Sequence, residues 1–181
     1  MAADHFENIA RTLLEAEGYW VAQSFKVNVT KEEKRQIGKH SIPRPEIDLL
    51  ALHFARNEVL AVETKSYLDS PGAKASEIQA THAIPEGRYK LFTSENYRRI
   101  VLSRLKADLL KLGMANDETK IRLGLIIGNV YPGDALTIRR HAKSEGWLYW
   151  SPRLLRRKLR AQAKRSYEND PAIIVVKLLL R

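Results

Sequence analysis

The sequence predicts an α/β (α+β) domain in which helices pack against a mixed central sheet. Segments whose apolar residues recur at helical spacing alternate along the chain with short aliphatic runs typical of strands. Two strand segments are separated by only residues 55–57, so they must pair antiparallel, because a parallel connection needs a dozen or more residues. Residues 121–130 are almost continuously apolar, which indicates a strand buried on both faces.

The first half of the chain is expected to contain one capped helix and three strands. Asp4 followed by Glu7 has the spacing of a capping box, and apolar residues then recur at helical spacing up to Gly18. Aromatic and β-branched residues predict a strand, and the polar stretch after it predicts a loop. The expected elements are a helix over 4–18, a strand over 19–29, an exposed loop over 30–44, paired strands over 46–54 and 58–66, and an irregular segment over 67–87 with at most one helical turn.

The second half is expected to be mainly helical. Thr93 or Ser94 caps a helix that Gly113 ends, and Ser151 followed by Pro152 is typical of a helix start. The expected elements are a short strand over 88–92, a helix over 94–112, strands over 121–130 and 147–150, a helix over 134–145, a basic helix from 152 to about Tyr167, and a last helix from Pro171. Apolar residues of that last helix should dock on the core: Ile173, Ile174, Val176, Leu178 and Leu180.

Length and composition predict a single domain over residues 1–181, with a core over 1–130 and a basic helical extension over 131–181 packed on it. A chain of 181 residues can bury about 70% of its unfolded surface, so it needs no disulfide or structural metal. The absence of cysteine excludes disulfides, thiolate metal sites and cysteine nucleophiles. The first residues lack a signal-peptide pattern, and no apolar run reaches the length of a membrane span. We therefore expect a cytoplasmic protein without a membrane partner.

Positive charge is concentrated in one segment of the chain. The formal net charge is +10, and residues 139–165 hold ten Lys or Arg against one acid, Glu145, so this segment alone contributes +9. Such concentration is typical of a polyanion-binding face, although a solvated helix surface is the simpler alternative. Trp147, Tyr149 and Trp150 precede the basic helix and suit base stacking, while at least one Trp is expected in the core. The expected nucleic-acid-binding residues are Arg139, Arg140, Lys143, Arg153, Arg156, Arg157, Arg160 and Lys164.

The paired strands carry the candidate catalytic residues. Side chains alternate across a strand, so Glu63 and Lys65 share a face. A hairpin loop of two or four residues would pair Asp48 with Lys65 and Leu50 with Glu63. Asp48 and Glu63 would then be diagonal neighbours about 7 Å apart at Cα, whereas a three-residue loop without a bulge would separate the acids.

Two carboxylates at that distance repel each other unless a cation lies between them. Mg²⁺ takes oxygen ligands and keeps several waters, so two acids, the Thr64 backbone carbonyl and a substrate phosphate would complete its shell. Such an ion stabilises charge on a phosphoryl oxygen and lowers the pKa of a bound water, and Lys65 could orient that water. These residues predict phosphodiester hydrolysis with Mg²⁺, for which Mn²⁺ could substitute.

Asp48, fourteen intervening residues and then Glu63-Thr64-Lys65 on a hairpin resemble the PD-(D/E)xK nuclease superfamily, over about residues 4–130. The resemblance implies a restriction-endonuclease-like fold, divalent-metal-dependent cleavage of DNA, metal ligation by Asp48 and Glu63, and water activation by Lys65. Glu7 matches a first-helix glutamate that often joins the site. The chain departs from the family pattern in that Pro45 lies three residues before the acid, and Glu46 shares the strand face of Asp48.

Simpler alternatives remain for the same residues. Asp48 and Lys65 could form a structural cross-strand salt bridge beside an exposed Glu63, and Glu7 could only cap the first helix. A catalytically inactive nucleic-acid-binding or assembly module of the same fold is the main functional alternative, and an adaptor for membrane surfaces or acidic proteins is another. A homodimer or a subunit of a larger complex is compatible with a chain of this size. Phosphate-loop, dinucleotide and serine-hydrolase motifs are absent from the sequence.

Overall fold

A computed structural model describes residues 4–165 and 169–181, and within them a five-stranded mixed sheet lies between two layers of helices. The predicted mixed α/β class is confirmed. The helices are α1 His5–Glu15, α2 Lys31–Gln36, α3 Ala75–Ile78, α4 Lys90–Thr93, α5 Glu95–Lys111, α6 Ala135–Ser144, α7 Pro152–Ala163 and α8 Pro171–Leu179. The strands are β1 Trp20–Lys26, β2 Glu46–His53, β3 Glu58–Lys65, β4 Lys120–Ile127 and β5 Leu148–Trp150. No helix of these residues combines the length and the apolar character needed to span a membrane.

The strands lie in the order β1-β2-β3-β4-β5. The pairs β1–β2 and β2–β3 are antiparallel, and the pairs β3–β4 and β4–β5 are parallel. One edge of the sheet therefore collects the start of β2, the ends of β3, β4 and β5, and the first turns of α1, α6 and α7. We call this the carboxyl edge.

Strand alternation divides the core into two clusters. On one face of the sheet, residues such as Leu50 and Ala61 pack with apolar side chains of α3, α4, α5 and α6. On the other face, Leu49 and Leu60 pack with α1, β5 and Leu155 of α7. Aliphatic residues at successive positions of β2 and β3 are buried because both faces are covered.

The β2–β3 hairpin is closed by a 3-10 turn, Phe54–Arg56, and by Asn57 in the left-handed region at φ 48°. Four residues therefore lie between the paired ends, and Leu50 faces Ala61. The predicted pairing of Leu50 with Glu63 is wrong by two residues, because β2 already ends at His53. Extending the observed register by one pair places Asp48 opposite Glu63. Because the predicted register differs from the observed one by two residues, which is one side-chain period of a strand, Asp48, Glu63 and Lys65 still lie on one face.

The loop predicted over 30–44 is wrong in part, because it contains α2. Thr30 Oγ1 accepts a hydrogen bond from the Glu33 N–H at 3.2 Å, and the Glu33 carboxylate accepts one from the Thr30 N–H at 2.8 Å. This capping box satisfies backbone donors that would otherwise be unpaired at the helix start. A short helix without buried residues is thereby stabilised locally.

The strand predicted over 88–92 is also wrong. Tyr89 caps the short helix α4, and the Tyr89 carbonyl accepts hydrogen bonds from the backbone N–H groups of Phe92 and Thr93. Phe92 is buried against Trp147, with ring centroids 4.7 Å apart. Phe92 is therefore buried against the residue that immediately precedes β5, and not within a strand.

The last helix does not dock as predicted. Ile173 is buried, but Ile174, Leu178 and Leu180 are 39%, 69% and 48% exposed, because α8 packs mainly against α7. The basic helix α7 ends at Ala163, and the predicted end at Tyr167 lies outside the described residues.

Candidate active site and basic groove

Asp48, Glu63 and Lys65 come together at the carboxyl edge. Lys65 Nζ donates a hydrogen bond to Glu63 Oε1 at 2.5 Å, and the two side chains are only 23% and 16% exposed. Asp48 Oδ2 accepts hydrogen bonds from the Thr64 backbone N–H at 2.8 Å and from Thr64 Oγ1 at 3.3 Å. The hairpin therefore holds one lysine and two acids in a small, half-buried cluster.

The charges in this cluster are strongly coupled. Burial raises the pKa of Glu63, the negative charge of Asp48 raises it further, and Lys65 only partly offsets them. Burial opposes the charge of Lys65, but attraction to Glu63 and Asp48 holds the pKa of its ammonium above the usual value. The carboxylates of Asp48 and Glu63 therefore carry more negative charge than Lys65 alone can neutralise.

Glu7 belongs to the same electrostatic cluster. Burial raises the pKa of Glu7 to about 7, with further contributions from Asp48, Asp4 and Glu46, and Lys65 opposes them. The N-cap Asp4 accepts hydrogen bonds from the backbone N–H groups of Phe6 and Glu7, which fixes the first turn of α1. Among the described residues, the Asp4 N–H donates no hydrogen bond to the Glu7 carboxylate, so Glu7 does not complete a capping box.

A glycine allows α1 to approach the end of β3. A Cβ at Gly128 would lie 2.4 Å from the Ser66 carbonyl oxygen and 2.9 Å from the Phe6 ring. Any larger residue would push the first turn of α1 away from β3. Gly128 thus contributes to bringing Glu7 towards the paired acids.

Several residues near Glu63 were not predicted as part of the site. Lys90 of α4 lowers the pKa of Glu63, so it is a second cation close to this acid. Burial and the charge of Glu63 raise the pKa of Tyr97 to about 12. Tyr89 donates a hydrogen bond to the Tyr67 hydroxyl at 3.1 Å. Lys90 and Tyr89 lie in the segment predicted as a strand, so sequence spacing alone could not place them here.

The oxygen donors of this cluster are chemically suited to a hard divalent cation, because Mg²⁺ binds one or two carboxylates and keeps several waters. Both acids currently bond internal partners, Glu63 to Lys65 and Asp48 to Thr64. Within residues 4–165 and 169–181, no three His, Cys, Asp or Glu side chains lie in an arrangement that could hold a metal ion. A metal ion would therefore compete with Lys65 for Glu63 Oε1 and with Thr64 for Asp48 Oδ2.

The simpler structural alternative for these residues is not what the structure shows. That alternative predicts a salt bridge between Asp48 and Lys65 beside an exposed Glu63. Instead Lys65 pairs with Glu63, and Glu63 is the more buried of the two. The third acid on this strand face, Glu46, lies 3.8 Å from Lys26 in an exposed ion pair.

A groove of about 970 Å³ lies between α6 and α7 beside the edge strand β5. We call it the basic groove. Seven of the eight predicted nucleic-acid-binding residues line it, namely Arg139, Lys143, Arg153, Arg156, Arg157, Arg160 and Lys164, together with Trp147, Tyr149 and Ser151. The eighth, Arg140, is exposed on α6 but is not part of its lining.

The positive charge of the basic groove is not neutralised within the described chain. All seven cations are exposed, and none forms a salt bridge with a described carboxylate. Lys158 provides the contrast on the same helix, since it pairs with Glu17 and lies 4.3 Å from the centre of the Trp150 ring. Trp150 is buried, as expected for one of the tryptophans.

The basic groove starts close to the acidic cluster. Ser151 caps α7 at the carboxyl edge, immediately after β5. β5 lies two strands from β3, which corresponds to about 10 Å across the sheet. The start of the groove therefore lies at the same edge of the sheet as Glu63 and Lys65.

Comparison with known proteins identifies no relative: no family model matches the chain, no curated protein matches its sequence, and no solved structure matches its fold. Function must therefore be inferred from the site itself.

Proposed function

We propose that the chain is a divalent-metal-dependent nuclease that hydrolyses phosphodiester bonds of DNA, built on a restriction-endonuclease-like core. The observation that carries the proposal is the coupling of Glu7, Asp48 and Glu63 around Lys65 at the carboxyl edge. Burial and the charge of Asp48 raise the pKa of both Glu7 and Glu63, which is costly in a merely structural role, and a bound cation would relieve that cost.

Each residue of the cluster has a distinct role in this proposal. Asp48, Glu63 and the Thr64 carbonyl would hold Mg²⁺ or Mn²⁺, and Glu7 would be an accessory acid. The bound ion would polarise the scissile phosphate and lower the pKa of a coordinated water. Lys65, once released from Glu63, would orient the attacking water and offset charge on the phosphate. The cations of the basic groove would hold the DNA backbone.

A plasmid-nicking assay with Mg²⁺ or Mn²⁺ tests this proposal. Asp48→Asn and Glu63→Gln should each slow nicking by about 100-fold or more, because each removes a ligand charge. The matched control is Glu58→Gln at the opposite end of β3, where Glu58 pairs with Arg122. This control should remain active within about threefold once folding is verified. Wild type that fails to nick, or Glu63→Gln that nicks at the wild-type rate, would overturn the proposal.

A second candidate, a nucleic-acid-binding or assembly module without catalysis, is favoured by one observation. Both acids are already satisfied by Lys65 and Thr64, without a three-ligand metal arrangement among the described residues. In that case wild type and Glu63→Gln would bind DNA equally, and neither would cleave it.

A further inference from the structure

We infer that the basic groove binds an unpaired strand of nucleic acid in preference to a duplex. The inference deepens the proposed function, on which it rests, by naming the form of the substrate. Three features of the groove carry it: its shape, its aromatic wall and a buried hydroxyl group.

The shape favours one strand. Cations project from two helices, with Arg139 on α6 and Arg156 and Arg160 on α7, so a ligand between them is held from both sides. A volume of about 970 Å³ is at the upper end of the range of roughly 300–1,000 Å³ for small-ligand pockets. A few nucleotides of one strand fit such a volume, whereas a duplex would contact only its rim.

The aromatic wall requires accessible bases. Trp147 and Tyr149 of the β5 segment line the groove between the two sets of cations. Duplex DNA presents phosphates outward and keeps its bases stacked, so these rings could not reach a base face in a duplex. Unpaired bases, in contrast, stack on aromatic side chains in most single-strand binding sites.

The Tyr149 hydroxyl is the third feature. It is buried, and it has no hydrogen-bond partner among the described residues. A buried hydroxyl without a partner is costly, so a residue that keeps one at the wall of a binding groove suits a ligand that supplies the partner. Base edges and phosphate oxygens of a nucleic-acid strand both offer acceptors.

The test uses the full chain in EDTA, where no cleavage occurs, and measures fluorescence anisotropy with labelled (dT)15 and with a blunt 15-base-pair duplex. Wild type should bind (dT)15 at least about tenfold more tightly at 150 mM salt. Equal or tighter binding of the duplex would overturn the inference, as would binding of phosphatidylserine vesicles without binding of (dT)15. The same measurement with (rU)15 shows whether the protein distinguishes ribose from deoxyribose in a single strand.

A charge-matched pair of variants locates the site. Replacing Arg156, Arg157 and Arg160 together by Gln should lower the slope of log K against log salt by about 2, because each single-strand phosphate contact contributes about 0.7. The control replaces Lys31, Arg56 and Lys120 by Gln, which are exposed cations outside the groove. It should leave the slope unchanged. Equal effects of the two triple variants would contradict the assignment.

Tyr149→Phe separates binding from folding. The substitution should leave the thermal midpoint unchanged or raise it, because it removes a buried hydroxyl without a partner, and it should weaken (dT)15 binding three- to tenfold. Unchanged (dT)15 affinity would exclude the hydroxyl as a ligand contact. These measurements need neither metal nor cleavage, so loss of nicking with intact (dT)15 binding would overturn the proposed function alone.

Discussion

Glu7 shows at the residue scale how burial, together with neighbouring acids, disfavours a negative charge. Its pKa is raised from 4.5 to about 7, so the folded protein binds more protons than the unfolded chain between these values. Stability therefore falls as the pH rises from about 4.5 to 7 and stays lowered above that range. Below pH 4.5 the carboxyl is protonated in both states and contributes no difference.

We predict that Glu7→Gln stabilises the metal-free protein at pH 8 by about 1 kcal/mol, after allowance for solvent screening of a partly exposed group. At pH 4.5 the difference should largely disappear. Urea unfolding in EDTA at the two pH values measures it, with the exposed Glu15→Gln on the same helix as control. A variant less stable than wild type at pH 8 would show that Glu7 is held by a favourable partner.

The identities of the site residues were predictable at this scale, but their pairing was not. The two-residue period of a strand places Glu63 and Lys65 on one face. Asp48 lies on that face in both the predicted and the observed register, because the two registers differ by two residues. The bond between Lys65 and Glu63 depends on side-chain rotamers and local burial, which spacing does not encode. Lys90 approaches Glu63 through tertiary packing of a segment distant in sequence.

At the scale of elements, α2 shows how a surface helix is tied to the fold. Arg104 of α5 donates three hydrogen bonds to Glu33, one from Nη2 at 2.6 Å and two from Nε at 3.1 Å and 3.2 Å. Burial raises the pKa of Glu33, but these bonds and the Thr30 capping bonds outweigh it and hold the pKa below 4.5. This lowered pKa contributes stability above pH 4.5, and the contribution is lost as the pH falls through the folded-state value.

Glu33→Gln should therefore reduce the free energy of unfolding by about 1–2 kcal/mol at pH 7, and by progressively less below pH 4.5. Glu32→Gln is the matched control, because Glu32 forms an exposed pair with Arg35 on the same helix. It should cost less than about 0.5 kcal/mol. Denaturant unfolding across pH 3–7 measures both variants, and an equal cost would mean that the Arg104 contact contributes nothing.

Local patterns predicted most elements whose ends are marked by caps or glycines. α1, α5, α6 and the start of α7 follow their capping residues. α2 was missed because it is polar all round and its only sequence signal was Thr30 with Glu33 three residues later. α8 was misjudged because its apolar composition predicts burial but does not specify the surface that covers it.

For the whole molecule, strand order determines which residues share the carboxyl edge. Parallel pairing of β3, β4 and β5 brings the ends of three strands and the start of the basic helix to the same edge. Neither the order of the strands nor the orientation of β4 and β5 follows from sequence periodicity. The sequence located the positive charge in one segment, and the fold arranges it as a groove beside the edge strand β5, two strands from β3.

We propose that Asp48 and Glu63 hold a divalent cation at the carboxyl edge, with Glu7 as an accessory acid. Isothermal calorimetry of Mn²⁺ binding at pH 8, where Glu7 is mainly ionised, tests it most directly, with wild type, Glu63→Gln and the control Glu58→Gln. Wild type and Glu58→Gln should bind the ion with similar affinity, and Glu63→Gln should bind it at least about tenfold more weakly. Absence of binding by wild type, or equal binding by Glu63→Gln, would contradict the account and leave the basic groove as the functional site.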